Sequence, residues 1–381
     1  MIFDISKFNS VFSNEQFFLP IRWDGKDFQK YLENLYADYF NVLCSLSQRD
    51  ECKPIKETSN DSFCNDYSSG MHCDCNKIHN ICNKLLKVVN EYLHGFPATA
   101  YCTFDDIMQE LMRQPLKIYN KSGRPDAFEG HDPLNLFRVV NVSEDINHHI
   151  TRVFHTPFTL ISKVSTSRYS IAGFPSLYLG TSIELCTEEI HNNPYSNLAI
   201  CSRFKLIRNT SKTDTKIDVI ELGIKPQDFV EDIKNKIYYD NYYCKRTIRR
   251  NLLCDQKVKK TYLLWYPLIA ACSFIRANKT DPFAPEYIIP QLLMQWIRNN
   301  YKEQNEVMGI RYFSCSSERT SELGFNYVFP TSGNPIADNT PYCKVLSKVF
   351  QLTKPVFLHE FNSLNECQSF LKNDKVLYSI I

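Results

Sequence analysis

Glycine is scarce in this chain: only 11 of the 381 residues are glycine, whereas average usage is about 7%. The sequence contains neither a G-x-G-x-x-G run nor a G-x-x-x-x-G-K-[ST] run. Those runs mark the two commonest nucleotide-binding loops, since glycine lets the backbone approach a phosphate group closely. The Rossmann and P-loop classes therefore lose their main support.

Long apolar runs are also lacking. No stretch approaches 18 uninterrupted apolar residues, and residues 262–275 are too short to span a bilayer, so they predict a buried helix. The first residues show no basic segment followed by an apolar run, the pattern of a signal peptide. We therefore expect a cytoplasmic protein without a membrane partner. A net charge of +2 makes nucleic acid an unlikely partner too.

Length and periodicity predict two domains. A chain of 381 residues is long for one core. Apolar residues with helical spacing predict a small α-helical domain over residues 1–120; the first set is Phe28, Leu32, Leu35, Tyr39 and Leu43. A second helix is predicted to start at Thr103 as N-cap. A polar, turn-rich linker follows over residues 121–135.

The chain has 15 cysteines. Their odd number, without a secretory signal, favours reduced thiols. Cys64, Cys73, Cys75 and Cys82, with His72 and His79 nearby, are a conceivable zinc site, but paired C-x-x-C knuckles are missing. A buried helical face explains part of the spacing: Cys75, Ile78, Cys82, Leu86, Val89 and Leu93 are three or four residues apart. We predict no metal.

Residues 136–381 read as one α+β domain. Strands are predicted over residues 136–142, 158–165, 216–222 and 356–358, and helices over 229–237, 262–275 and 286–297. Strands and helices mix without strict βαβ alternation, which favours an α+β class over a doubly wound sheet. His155 stands between aromatic residues and is interpreted as a packed or surface histidine, with a place in the pocket as the alternative.

Residues 164–190 hold the candidate site. Alternation around the turn at residues 172–175 predicts a hairpin that brings Arg168 close to Tyr178. A helix then follows, with capping-box spacing between Thr181 and Glu184. At 100° per residue Glu189 falls within the apolar arc of that helix, whereas Glu188 points to solvent.

An inward arginine, tyrosine and glutamate suit one chemistry. Arginine can bind a pyrophosphate with two parallel hydrogen bonds, and a tyrosine ring can stack on a base or ribose. A lone carboxylate can stabilise an oxocarbenium ion, as in glycosidic-bond cleavage. A structural arginine–glutamate ion pair capped by tyrosine explains the same residues equally well.

The spacing of Arg168, Tyr178 and Glu189 resembles that of the RES domain family, named for its arginine, glutamate and serine. Residues 154–158, 168–180 and 184–186 also resemble its longer members, and Leu136-Phe-Arg138 fits the start of the domain. In the family the serine is followed by an asparagine before a strand and a proline, and the segments Gly309–Ser314 and Asn326–Pro330 fit that part. Ser314 is the serine carried over, although Ser316 and Ser317 are close enough to leave that choice open. The resemblance covers roughly residues 136–365.

The resemblance implies a fold like the ADP-ribosyltransferase toxins and an NAD⁺-degrading enzyme that acts by hydrolysis or phosphorolysis. Arg168 would hold phosphate, Tyr178 would pack on the nicotinamide-side ribose, Glu189 would stabilise the cation, and Ser314 would bind or orient the substrate. NAD⁺ is then a substrate, inorganic phosphate a possible co-substrate, and no further cofactor is implied. Many family members are toxins, so a neutralising antitoxin is a possible partner.

Two other functions stay open: transfer of ADP-ribose to a protein or nucleic acid, and a catalytically inactive binding module. The first 120 residues resemble, more weakly, HEPN-like helical domains. The ribonuclease motif of that superfamily is met on paper by Arg124 and His131, but in a Gly/Pro-rich linker, where the helical geometry is broken. We interpret that match as chance.

Overall fold

A computed structural model describes residues 2–47, 72–116, 135–142, 150–190, 199–206, 216–230, 255–301, 306–332 and 340–380. The chain divides into two compact units. Unit 1 comprises Met1–Lys117, Lys225–Ile233 and Arg249–Ile289, and unit 2 comprises Ile118–Ile224, Lys234–Ile248 and Pro290–Ile381. The predicted α+β class is confirmed, because helices accompany a mixed sheet.

The helices, in chain order, are α1 Phe8–Phe12, α2 Phe28–Leu46, α3 Cys75–Leu93, α4 Pro97–Leu111, α5 Ile183–Glu189, α6 Gln227–Val230, α7 Gln256–Ala271, α8 Ile288–Asn300, α9 Lys344–Val349 and α10 Leu364–Asn373. The strands are β1 Ile2–Asp4, β2 His72–Asp74, β3 Asn135–Asn141, β4 Ser176–Gly180, β5 Ala199–Leu206, β6 Lys216–Leu222, β7 Glu306–Tyr312, β8 Asn326–Pro330, β9 Phe350–Leu352 and β10 Val356–Phe357. Short 3-10 turns lie at Ile5–Lys7, Glu15–Phe17, Ile150–Val153, Phe158–Lys163, Pro285–Tyr287, Thr320–Glu322 and Leu358–Glu360.

Helix α2 of unit 1 matches its predicted period. The carboxylate of Asp27 accepts a hydrogen bond from the Lys30 amide (2.9 Å) and so caps the first turn. The buried face holds Phe28, Leu32, Leu35, Tyr36, Tyr39 and Leu43. The inward face of α3 is confirmed in part: Cys75, Ile78, Cys82 and Val89 are buried. Leu85 is buried in place of the predicted Leu86, and Leu93 is exposed.

The predicted start of the next helix at Thr103 is wrong. Helix α4 begins at Pro97, because proline suits the first helical position, where its missing N–H is not needed. Thr103 lies inside the helix, and its hydroxyl donates to Glu91 at 3.0 Å instead of capping a helix end.

Two side chains of α2 donate hydrogen bonds to backbone carbonyls of α7 near the proline of that helix. Pro267 lies inside α7 and has no N–H to donate to the Leu263 carbonyl four residues earlier. The hydroxyl of Tyr39 donates to that carbonyl at 3.0 Å, and the hydroxyl of Tyr36 donates to the Pro267 carbonyl at 2.7 Å. Residues 256–271 therefore belong to the core of the helical unit.

Unit 2 is built on an eight-stranded mixed sheet in the order β10-β5-β3-β4-β8-β7-β6, with β9 also paired to β5. The pairs are antiparallel except β6 and β7, which are parallel. Apolar side chains from β3, β4 and β5 form a core with α9, and others pack against α5 and α10. In this strand order β4 lies between β3 and β8, in the interior of the sheet.

The predicted strands at 136–142, 216–222 and 356–358 correspond to β3, β6 and β10. The predicted strand at 158–165 is wrong, because Phe158–Lys163 forms a 3-10 helix. The helix predicted over 229–237 is described only up to Val230, where α6 ends. The helices predicted over 262–275 and 286–297 correspond to α7 and α8.

The sequence-based division into residues 1–120, 121–135 and 136–381 stays a prediction, since the linker and the segment from Arg124 to His131 lie outside the described residues. The contacts add that the described residues of 225–230 and 255–289 belong to the same compact unit as the N-terminal helices. Within the described ranges, no helix is long and apolar enough to cross a bilayer.

Candidate active site

Arg168 lies in a turn and not in a strand. Arg168 and Tyr169 are its central residues. The Ser170 hydroxyl accepts from the Ser167 amide and donates to the Ser167 carbonyl, both at 2.9 Å. From helix α8, the Gln291 amide donates to the same carbonyl at 3.2 Å. The predicted pairing of two strands is therefore wrong. The predicted turn exists: Ile171 and Phe174 form a single antiparallel bridge, and Gly173 has a φ of +68°.

Tyr178 reaches the Arg168 turn by another route. It lies on β4, which pairs with β8 and β3, and its side chain is half-buried on the face opposite Leu177 and Leu179, as predicted. Its hydroxyl donates to the Tyr169 carbonyl. A phenol has one proton, so the Ser167 hydroxyl donates to Tyr178 over 2.5 Å. The strand and the turn are thus joined at the hydroxyl of Tyr178.

Helix α5 brings Glu189 to the same region. The Ser182 hydroxyl accepts from the Leu185 amide at 3.1 Å, so Ser182 is the N-cap in place of the predicted Thr181. Gly180 lets the helix approach β4 closely, because a Cβ there would lie 2.7 Å from the Cys186 sulfur. The predicted difference between the two glutamates is confirmed: Glu188 faces the exposed Arg319 at 3.6 Å, whereas Glu189 points to the sheet.

Both carboxylate oxygens of Glu189 accept hydrogen bonds. The Asn326 side-chain amide donates to Oε1 at 2.7 Å, and the Ser316 hydroxyl donates to Oε2 at 2.9 Å. Asn326 is the first residue of β8 and Ser316 follows β7. The carboxylate is therefore fixed from two directions by neutral donors.

Of the three candidate serines, Ser316 is the one whose hydroxyl reaches Glu189. Ser314 is completely buried; its hydroxyl donates to Thr320 at 2.9 Å and accepts from the Ser316 amide at 3.2 Å. The Ser317 hydroxyl bonds to Thr320 at 3.2 Å. Ser314 thus organises the loop that presents Ser316, and its assignment as the substrate-contacting serine stays a prediction that this geometry does not favour.

Tyr312, at the end of β7, lies close to the predicted site residues, although it was not itself predicted. Burial, and next the negative charge of Glu189, raise the pKa of the Tyr312 phenol well above that of free tyrosine. Tyr178 acts in the same direction, and the positive charge of Arg168 acts against it. All three predicted residues are therefore within electrostatic range of one hydroxyl. Its position two residues before Ser314 was the only signal in the sequence.

Arg138, on β3, adds a half-buried cation. Its Nη1 is buried and has no hydrogen-bond partner within the described residues. Burial lowers the pKa of the Arg138 guanidinium to about 10, while Cys186 and Tyr178 act against that decrease. A buried donor without a partner is costly, so this nitrogen is available to an anionic ligand.

The side chains named above as a conceivable zinc site are not placed as one in the part of the chain that is described. Cys64 lies outside it, and no group of three or more His, Cys, Asp or Glu side chains there is placed to hold a metal. Burial raises the pKa of Cys73 to about 12 and that of Cys82 further, which disfavours the thiolate that metals need. The described cysteines are free thiols.

A pocket of about 240 Å³ lies in unit 1, lined by residues that include His72, Cys73, Lys77 and Lys260. None of the predicted site residues lines it. The chemistry assigned to Arg168, Tyr178 and Glu189 therefore does not depend on this pocket.

The fold and the cluster define an α+β protein in which an arginine of a turn and a glutamate of α5 lie near a tyrosine of β4, an interior strand of the mixed sheet. No family model matches the chain, and no solved structure matches it significantly. The chain is 28% identical over 354 residues to a protein of Bacillus subtilis (strain 168) named "Putative toxin YopC". That similarity covers 91% of this chain and 69% of the relative.

Proposed function

We propose that this protein cleaves the nicotinamide–ribose bond of NAD⁺ and acts as a toxin. The observation that carries the proposal is a set of hydrogen bonds around β4: the Tyr178 hydroxyl donates to the turn that carries Arg168, and Asn326, opposite Gly180 of β4, donates to Glu189. The resemblance to RES domains, with a fold like ADP-ribosyltransferase toxins, supports it, and so does the similarity to a protein whose name assigns it a toxin role.

The chemistry needs little from the protein beyond charge and position. When the C1′–N bond of the nicotinamide riboside breaks, its electron pair leaves with nicotinamide, which becomes neutral, and the ribose carbon becomes an oxocarbenium ion. The Glu189 carboxylate, held by Asn326 and Ser316, stabilises that positive charge. Water or phosphate then adds to the cation; water loses a proton to solvent in that step.

Arginines suit the anionic parts of the reactants. Arg168 is half-buried in its turn and can bind the pyrophosphate, since guanidinium groups match phosphate oxygens. The buried Nη1 of Arg138 can receive a further phosphate oxygen, from the dinucleotide or from inorganic phosphate. The ring of Tyr178 keeps a half-exposed position for packing on the ribose, because its hydroxyl is already bonded to Tyr169.

The test is nicotinamide release from NAD⁺, measured with and without inorganic phosphate. We expect turnover by the purified full chain. Glu189→Gln is expected to reduce kcat roughly 100-fold or more, the range measured when one electrostatic stabiliser is removed. Glu188→Gln is the matched control, because its carboxylate only faces the exposed Arg319, and it should keep full activity.

Full activity of Glu189→Gln with an intact fold would contradict the site assignment. ADP-ribose 1″-phosphate as product would show phosphorolysis, and free ADP-ribose would show hydrolysis. Labelled NAD⁺ that ends on a protein or nucleic acid would decide for ADP-ribosyl transfer. Absence of any turnover would favour an inactive binding module.

A further inference from the structure

We propose that Asn326 is a positioning residue for Glu189, and that with Ser316 it holds the carboxylate in one orientation. This inference rests on the function proposed above. It assigns a role to Asn326 that the arginine, tyrosine, glutamate and serine set does not include.

The helix that carries Glu189 is fastened to the segment that carries Asn326. The Thr181 amide donates to the Phe325 carbonyl at 3.0 Å, and the Phe325 amide donates to the Thr181 hydroxyl at 2.9 Å. The Ser182 hydroxyl donates to the Leu323 carbonyl at 3.1 Å. The start of α5 is thus fixed beside the start of β8, and the Glu189–Asn326 distance is set by the fold.

The two donors recognise a carboxylate and not a carboxylic acid. An ionised carboxylate only accepts hydrogen bonds, whereas a protonated one must also donate. The Asn326 amide and the Ser316 hydroxyl each donate one hydrogen to a different oxygen. Each oxygen is therefore held by its own donor, one from β8 and one from the loop after β7, and this fixes the orientation of the carboxylate.

The neighbouring acids are neutral. The charge of Glu189 acts on Tyr312 and on Cys186, and Arg168 and Tyr178 also act on Tyr312. Burial raises the pKa of Cys186 to about 12 and that of Tyr312 well above its ordinary value, so both stay protonated. The Cys186 thiol donates to the Phe137 carbonyl at 3.2 Å. Asn326 and Ser316 therefore provide the direct hydrogen bonds to Glu189 in the described site.

The first test is a double-mutant cycle in which thermal unfolding midpoints are measured, and it needs no substrate. Asn326→Asp places two carboxyl groups at hydrogen-bond distance, where they retain one proton between them. We expect a lower unfolding midpoint at pH 7 and a smaller loss at pH 5, because the proton is available there. Glu189→Gln combined with Asn326→Asp exchanges amide and carboxylate, and it should recover most of the lost midpoint. Losses that simply add in the double variant would overturn the proposal.

The second test is the pH profile of nicotinamide release. Asn326→Asp should keep activity at acidic pH, where the shared proton donates to Glu189, and lose it as the pH rises and that proton leaves. Ser316→Ala should lower kcat at an unchanged KM. Ser347→Ala, on α9, is the control, because its hydroxyl donates to the Lys344 carbonyl, and it should keep the parent kcat.

The two tests separate this inference from the proposed function. Absence of turnover by the parent protein, together with recovery in the double-mutant cycle, would sink the function and keep the role of Asn326. Turnover that depends on Glu189, together with an Asn326→Asp profile equal to that of the parent at every pH, would sink the role of Asn326 alone.

Discussion

The ring of Tyr169 packs against the ring of Tyr312, with centroids 4.5 Å apart. The carbonyl of Tyr169 also accepts the Tyr178 hydroxyl proton. Tyr169 therefore links the turn that carries Arg168 to two strands, β4 and β7. The position of Arg168 depends on these neighbours as well as on its own turn.

Tyr178→Phe should weaken catalysis through Arg168. The substitution keeps the ring but removes the donor to the Tyr169 carbonyl and the acceptor for Ser167, so the turn is less firmly held. We expect kcat/KM for NAD⁺ to fall roughly tenfold, which is about 1.4 kcal/mol of transition-state stabilisation. Steady-state nicotinamide release measures it. Tyr378→Phe, an exposed tyrosine of the same unit, is the control, and equal values for both variants would contradict the prediction.

Arg138→Met should separate function from stability. The buried Nη1 has no hydrogen-bond partner in the described part of the chain, so an apolar side chain of similar length removes a desolvation cost. We expect the unfolding midpoint to stay or rise while the KM for NAD⁺ or phosphate rises. Thermal denaturation and steady-state kinetics check the two effects. A lower midpoint with unchanged KM would show that Arg138 is structural.

Stability should fall in mild acid because of His155. Its Nε2 accepts from the Cys343 amide at 2.8 Å, so the Thr156 carbonyl, 2.7 Å from Nδ1, accepts the Nδ1 proton. Burial lowers the pKa of His155 to about 4 from its ordinary 6.5. The unfolded chain thus binds the proton first, and stability is lost as the pH falls from 6.5 towards 4, by about 3 kcal/mol in total.

His155→Gln provides the comparison for that pH dependence, since glutamine does not titrate. Free energies of unfolding between pH 7 and pH 4 should converge for the two proteins as the pH falls. Parallel curves would show that His155 contributes nothing to the acid sensitivity.

Tyr39→Phe should destabilise unit 1. The Leu263 carbonyl would lose the hydroxyl that replaces the missing Pro267 N–H, and an unsatisfied buried carbonyl costs about 1–3 kcal/mol. Tyr31→Phe is the matched control on the same helix, because the Tyr31 hydroxyl donates to the Arg22 carbonyl (3.0 Å) at an exposed position. Denaturant unfolding measures both. A similar loss in both variants would contradict the role given to Tyr39.

The sequence predicts what depends on local period. The buried face of α2 and the contrast between Glu188 and Glu189 follow from helical phase, since each residue turns by a fixed angle. These predictions are confirmed because a helix buries a whole face. A single departure, such as the burial of Leu85 in place of Leu86, does not change which face is buried.

Contacts between segments that are distant in the chain cannot be predicted from helical phase. The predicted pairing of two strands is wrong because β4 pairs with β8, where Tyr178 lies opposite Val328, and no local alternation identifies that partner. The choice between Ser314 and Ser316 also depends on a loop without a repeating direction. Asn326, Tyr312 and Arg138 join the site through the order of strands, which the alternation within each strand does not fix.

The parallel pairing of β6 with β7 has a consequence for assembly of the protein. The chain between these strands, residues 223–305, contains α7, whose Leu263 and Pro267 carbonyls receive the Tyr39 and Tyr36 hydroxyls. During synthesis the helical unit cannot complete its core until the first six strands of the chain have been made. A fragment that ends at residue 120 would leave the apolar face of α2 uncovered by α7, so the two units cannot be separated by a single cut.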